Sequence, residues 1–99
     1  MKDSVRVIAR ITAKPGTEDG VKSVLSNLVE PTRQESGCLN YELLQNSENS
    51  AEFVLLEEWE NTAALDSHTN APHTKQAESE VEDWLEQVPP DVRIYRTIV

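Results

Sequence analysis

Four stretches of this chain carry strand-like patterning and two stretches between them repeat at the period of a helix, an order that few folds accept in 99 residues. The first, VRVIARITAK at residues 5–14, puts Val5, Val7, Ala9, Ile11 and Ala13 on one face and Arg6, Ile8, Arg10 and Thr12 on the other, the period of two that a half-buried strand requires. Pro15-Gly16 breaks it. Thr17 stands where a helix cap would, Glu18 and Asp19 suit a first turn, and Val21, Val24, Leu25, Leu28 and Val29 make one apolar stripe. Pro31 is expected to kink or end that helix near Glu30, with a short turn over Thr32 to Glu35 and a stop at Ser36-Gly37. Residues 38–46 and 52–60 read as strands joined through Ser47–Ser50 into an antiparallel hairpin. Asn61 caps a short helix reaching about Asp66. Asn70-Ala71-Pro72 opens a longer one, because proline fits a first turn. Ala77, Val81, Trp84, Leu85 and Val88 carry its stripe on to Pro89-Pro90, and residues 92–99 (VRIYRTIV) form a β-branched last strand.

The order βαββαβ predicts a single α+β domain over residues 1–99: a ferredoxin-like, antiparallel four-stranded sheet with both helices on one face. A sheet covered on one side should be polar on the other. Here the second face carries Ile8, Leu44, Val54, Leu56 and either Ile94 or Tyr95. A chain this short also buries a thin core. A second copy covering that face, giving a homodimer, is the expectation.

The formal net charge is −9, from 18 acidic and 9 basic residues, the wrong sign for nucleic acid or an anionic membrane. Lys2, Arg6, Arg10 and Lys14 cluster early, against Asp3 alone, while residues 42–60 hold six glutamates and no lysine or arginine; these stretches are expected to meet and partly neutralise. The one cysteine, Cys38, excludes an internal disulfide and any multi-cysteine metal site; it reads as packing. There is no apolar run of transmembrane length, and MKDSVRVIAR enters a strand pattern at once, unlike a signal peptide. A cytoplasmic location is expected.

No glycine-rich dinucleotide or phosphate loop and no nucleophile elbow is present. His68 and His73 are five residues apart across an expected helix break, off the i, i+4 spacing of a helical metal pair, so no metal site is assigned. Each can act as a general acid or base near neutral pH, or simply decorate a helix end. Glu57 shares a strand face with Phe53, Leu55 and Trp59. A carboxylate there is either paired with an arginine or held with a raised pKa for proton transfer. Trp59 is either a core residue closing the sheet edge or a rigid pocket wall with an N–H donor. Tyr41, in line with Leu39 and Leu43, is open to the same two readings, and Trp84 reads as core.

At these residues the chain resembles the antibiotic biosynthesis monooxygenase family over nearly its whole length. PGTEDGV, TRQESGCLNYELLQ, FVLLEEWENTAALDSHTNAPHTKQ and the closing strand carry the likeness, above all W-x5-L-x2-H-x4-H (Trp59, Leu65, His68, His73) and E-x-G-C-L-x-Y (Glu35 to Tyr41). The resemblance implies a ferredoxin-like subunit, a homodimeric α/β-barrel and a pocket between sheet and helices. It implies oxidation of a quinol or similar electron-rich aromatic or polyketide-like molecule by O2 without flavin, metal, haem or other cofactor. A deprotonated phenol or enol can itself reduce oxygen, leaving the protein to take a proton, orient the substrate and exclude water. In that reading His68, His73 and Glu57 transfer protons, and Trp59, Tyr41, Leu55 and Phe53 contact substrate. Two departures narrow it. Leu55 stands where some polyketide-oxidising members have asparagine, and Ala9 and Lys75 to Ala77 stand where haem-degrading relatives have asparagine and histidine, so the resemblance does not extend to haem degradation. Alternatives are an isomerase or lyase acting on a small signal molecule of the autoinducer-2 type, and a non-catalytic dimeric module that binds a small ligand.

Overall fold

The computed structural model describes residues 4–99; Lys2 and Asp3, part of the charge pattern above, lie outside them. The elements are β1 (Val5–Thr12), α1 (Glu18–Arg33), β2 (Cys38–Asn46), β3 (Asn49–Trp59), α2 (Thr62–Thr69), α3 (Pro72–Val81), a single 3-10 turn over Glu82–Trp84, and β4 (Asp91–Tyr95). The four strands form one antiparallel sheet in the order β2-β3-β1-β4. This is the ferredoxin-like arrangement that the element order predicts.

Register decides which residues meet. Val7 pairs with Glu57 and Ile94, and Ala9 with Leu55 and Val92. These residues share the helix-covered face, where Val7, Ala9, Ile11, Phe53, Leu55 and Trp59 are all buried. The alternate residues point the other way: Ile8 opposite Leu56 and Arg93, and Arg6 opposite Glu58 and Tyr95. Tyr95, not Ile94, therefore joins Ile8, Leu44, Val54 and Leu56 on the outer face. The basic and acidic stretches meet as expected, through an Arg10–Glu52 ion pair.

Four elements depart from the sequence expectation. First, α1 runs through Pro31 to Arg33. The proline ring lies on the exposed side near the helix end, where the one backbone hydrogen bond it removes, to the carbonyl four residues earlier, is tolerated. The buried Thr32 hydroxyl, bonded to the Leu28 carbonyl at 2.8 Å, anchors that last turn. Second, Thr17 occupies the cap position but its hydroxyl goes to the carbonyls of Lys14 and Trp84 instead. Third, α3 stops at Val81, not Val88. Leu85 is extended and bridges Ala13, with Lys14 N donating to Trp84 O at 2.7 Å and Glu86 N to Thr12 O at 2.9 Å. The C-terminal end of β1, which runs past its pairing with β4, outcompetes another helical turn for these backbone groups. Trp84 is consequently half-buried rather than core, lying across Gly20, where an added Cβ would sit 2.9 Å from its ring. Fourth, β4 ends at Tyr95, opposite Arg6, and residues 96–99 lie outside the strand, with Ile98 and Val99 exposed.

The hairpin turn is also tighter than expected, with β3 starting at Asn49. α2 is capped as predicted, Asn61 Oδ1 accepting from Ala64 N at 2.9 Å, and runs on to Thr69. Gly37, between α1 and β2, has φ +85, and a Cβ there would lie 2.6 Å from the Ala64 methyl. Only glycine permits both that backbone angle and that approach. Its carbonyl accepts from Glu60 N at 2.9 Å, which ties the end of α1 to the start of α2.

Candidate functional site

Between the sheet and the helices lies a cavity of about 330 Å3. Its wall is mostly aliphatic, from β1, α1 and α3, with Leu55 and Tyr41 on the sheet side. Val88 and Val92, themselves half exposed, mark its open end. Its polar end is made by Glu57, His68 and Thr74.

His68 is the centre of that end. It sits in the last turn of α2 and is 5% exposed. Its ring stacks on Trp59 (centroids 4.6 Å, 28°) and meets Tyr41 edge-on at 5.6 Å. Nδ1 lies 2.8 Å from Glu35 Oε2. A carboxylate oxygen accepts, so Nδ1 carries the hydrogen, and in the neutral ring Nε2 keeps its lone pair. Nε2 lies 3.9 Å from Glu57 Oε1.

Glu57 is paired with no arginine here. It accepts a hydrogen bond from Trp59 Nε1 at 2.9 Å. Burial raises its pKa above the ordinary carboxylate range, only partly offset by the Trp59 hydrogen bond and by His68, while Glu35 pushes it further up. Burial also raises the Tyr41 phenol, so Tyr41 stays neutral. His73, in the first turn of α3, is not on the cavity wall. It donates through Nε2 to the same Glu35 oxygen at 2.7 Å and stands 6.5 Å from the His68 ring.

The structure thus gathers the sequence candidates into two layers. His68, Glu57, Tyr41 and Leu55 line the cavity, whereas Trp59 and Phe53 are completely buried behind that wall. Trp59 fixes His68 by stacking and Glu57 by its N–H. The residue that local reasoning passed over is Glu35, which bridges both histidines from the turn after α1. Its one trace in the sequence is as the first residue of E-x-G-C-L-x-Y.

The family model for antibiotic biosynthesis monooxygenase matches residues 4–80, a span that includes every residue of this cluster. The chain belongs to the antibiotic biosynthesis monooxygenase family. It is 33% identical over 85 residues, 86% of this chain and 83% of the other, to a Mycobacterium tuberculosis protein named "Putative monooxygenase Rv0793". The solved structure of that protein superposes with a TM-score of 0.91 at 30% identity, covering 98% of this chain and 97% of its own. A Pseudomonas aeruginosa structure, PA3566, superposes with a TM-score of 0.93 at 32% identity, covering 100% of this chain and 98% of its own. Among the described residues of this family member, no helix is long and apolar enough to cross a membrane.

Proposed function

We propose that this protein is a cofactor-independent monooxygenase that oxidises a quinol or a similar electron-rich aromatic with O2. The observation that carries the reading is His68: one ring nitrogen is held by Glu35, and the ring lines a mostly apolar cavity. A phenolic O–H placed there loses its proton to Nε2. The resulting phenolate reduces O2 in a water-poor space; one oxygen atom enters the product and the other leaves as water, as in hydroquinone + O2 → hydroxybenzoquinone + water. All the electrons come from the substrate, so the balance needs no reduced cofactor. Glu57, kept protonated to higher pH than an ordinary carboxylate by its burial, is placed to return a proton. Glu35 and Trp59 act as positioning residues for His68 and Glu57.

Oxygen uptake with a panel of hydroquinones tests this. His68→Ala is expected to lower kcat by roughly 100- to 10,000-fold, the usual worth of a general base. A wild-type rate no higher than autoxidation across the panel would remove the activity altogether. A base beside a carboxylic acid also suits the enediol shift of an isomerase, and turnover without oxygen would move the assignment there.

The outer sheet face supports a homodimer as part of the same proposal. Ile8, Leu44 and Tyr95 are 36%, 44% and 45% exposed on one side of one sheet, interleaved with Arg6, Arg10, Glu52 and Glu58. Such an apolar patch with a charged rim suits a self-complementary two-fold contact. Sedimentation at micromolar concentration should give the dimer mass.

A further inference from the structure

We propose that Glu35, His68 and His73 form a binding site for one divalent transition-metal ion of the zinc type. The inference goes beyond the monooxygenase reading, which uses no metal. His68 and His73 lack the i, i+4 spacing of a helical metal pair and stand on either side of a helix break. The fold instead brings them together from the end of α2 and the start of α3, and supplies a third ligand from the turn after α1.

The donor atoms are Glu35 Oε2, His68 Nδ1 and His73 Nε2, all within 4.8 Å of one another. Two imidazoles and a carboxylate are the set that borderline ions accept, whereas magnesium and calcium want oxygen throughout. Zinc–nitrogen and zinc–oxygen bonds of about 2.0–2.2 Å place tetrahedral ligand atoms roughly 3.3–3.5 Å apart. The present contacts of 2.8 and 2.7 Å must therefore open by about half an ångström, around an ion of those bond lengths. His73, 31% exposed at its side chain, can give that movement. It also provides a route in from solvent.

The ion would lie on the Nδ1 side of the His68 ring, not the Nε2 side. With Nδ1 coordinated, the hydrogen of the neutral ring must sit on Nε2. Nε2 then donates instead of accepting. If Nε2 is the base of the proposed reaction, the ion switches the base off without touching substrate; this consequence rests on that reading, and the binding itself does not.

The test is zinc binding to the full chain, freed of metal by chelation, in competition with a chromophoric chelator. One ion per chain is expected, with Kd of about 10 µM or tighter. Glu35→Gln and His73→Ala should each weaken it at least tenfold, with the fold checked by circular dichroism. In the unaltered chain, imidazole nitrogen NMR should show the His68 hydrogen moving from Nδ1 to Nε2 as zinc is added, a readout that survives if a variant fails to fold. No binding at about 100 µM zinc, binding unaffected by both substitutions, or an unmoved His68 hydrogen would each overturn the site. Because none of these measurements uses quinol turnover, a failed metal site and a failed monooxygenase assignment are told apart.

Discussion

The two faces of the sheet are built from the same four strands by alternate residues, yet they end in opposite conditions. On the helix side Val7, Ala9, Ile11, Phe53, Leu55 and Trp59 are at most 5% exposed, and two ionisable groups, Glu57 and His68, are buried among them with hydrogen-bond partners. On the outer side Ile8, Leu44 and Tyr95 stay substantially open, and charged residues such as Arg10 and Glu52 pair between them. One face is completed within the chain and can therefore hold polar groups in fixed positions, because packing immobilises their partners. The other stays open, and in the proposed dimer it is apolar area, not geometry, that would hold the second copy.

The sharpest way to break that comparison is at Trp59. Trp59→Ala should cost about 3–5 kcal/mol of stability, the range for emptying a buried aromatic site, read by urea unfolding. Trp59→Phe should keep most of the packing but lose the N–H to Glu57, at about 1–3 kcal/mol for the acceptor left unpaired. If both variants unfold like the wild type, the helix side is not the rigid face. Next in size is the outer side. Ile8→Glu or Leu44→Glu should leave the subunit folded and weaken the dimer by tenfold or more, seen by sedimentation. A chain that remains dimeric would show that the contact lies elsewhere.

A smaller effect sharpens the comparison by pH. Glu57 has a raised pKa in the folded chain, so between the ordinary carboxylate value of about 4.3 and that raised value the folded state binds more protons than the unfolded one. Stability contributed by Glu57 protonation is thus lost as pH rises through the folded pKa. Glu57→Gln should remove this loss, so the variant gains on the wild type as pH increases across that window. A difference that stays flat with pH would mean Glu57 ionises freely. The smallest effect is expected outside, where Arg10→Ala breaks an exposed ion pair and should leave the melting temperature within error of the wild type.

Much of this was readable beforehand, for physical reasons that also explain the failures. β1 was legible because alternation is a local property of residues 5–14. α1 was legible in its stripe but not in its end, since the penalty of Pro31 depends on which way its ring faces and on how much helix follows. The stripe Val81, Trp84, Leu85, Val88 continues a helix only if nothing better is offered. β1 offers a backbone partner to Leu85, and that partner lies 72 residues away. The candidate site divides in the same manner. Tyr41, Leu55, Glu57, Trp59, His68 and His73 lie within one stretch whose pattern could be examined locally. Glu35 sits in a polar turn, TRQESG, among residues that look solvated, and its role exists only through contacts 33 and 38 residues distant.

The glycine between α1 and β2 has a consequence of another order. Glu35 lies two residues before Gly37, and His68 lies four residues after the Ala64 methyl that Gly37 abuts. The separation between the carboxylate and the imidazole is therefore a mechanical tolerance set by a residue that has no side chain and never meets a ligand. Any side chain at 37 would act as a shim, pushing Glu35 and His68 out of alignment and shifting the polar end of the cavity with them. The distance between these two groups is thus governed from a turn outside the cavity lining.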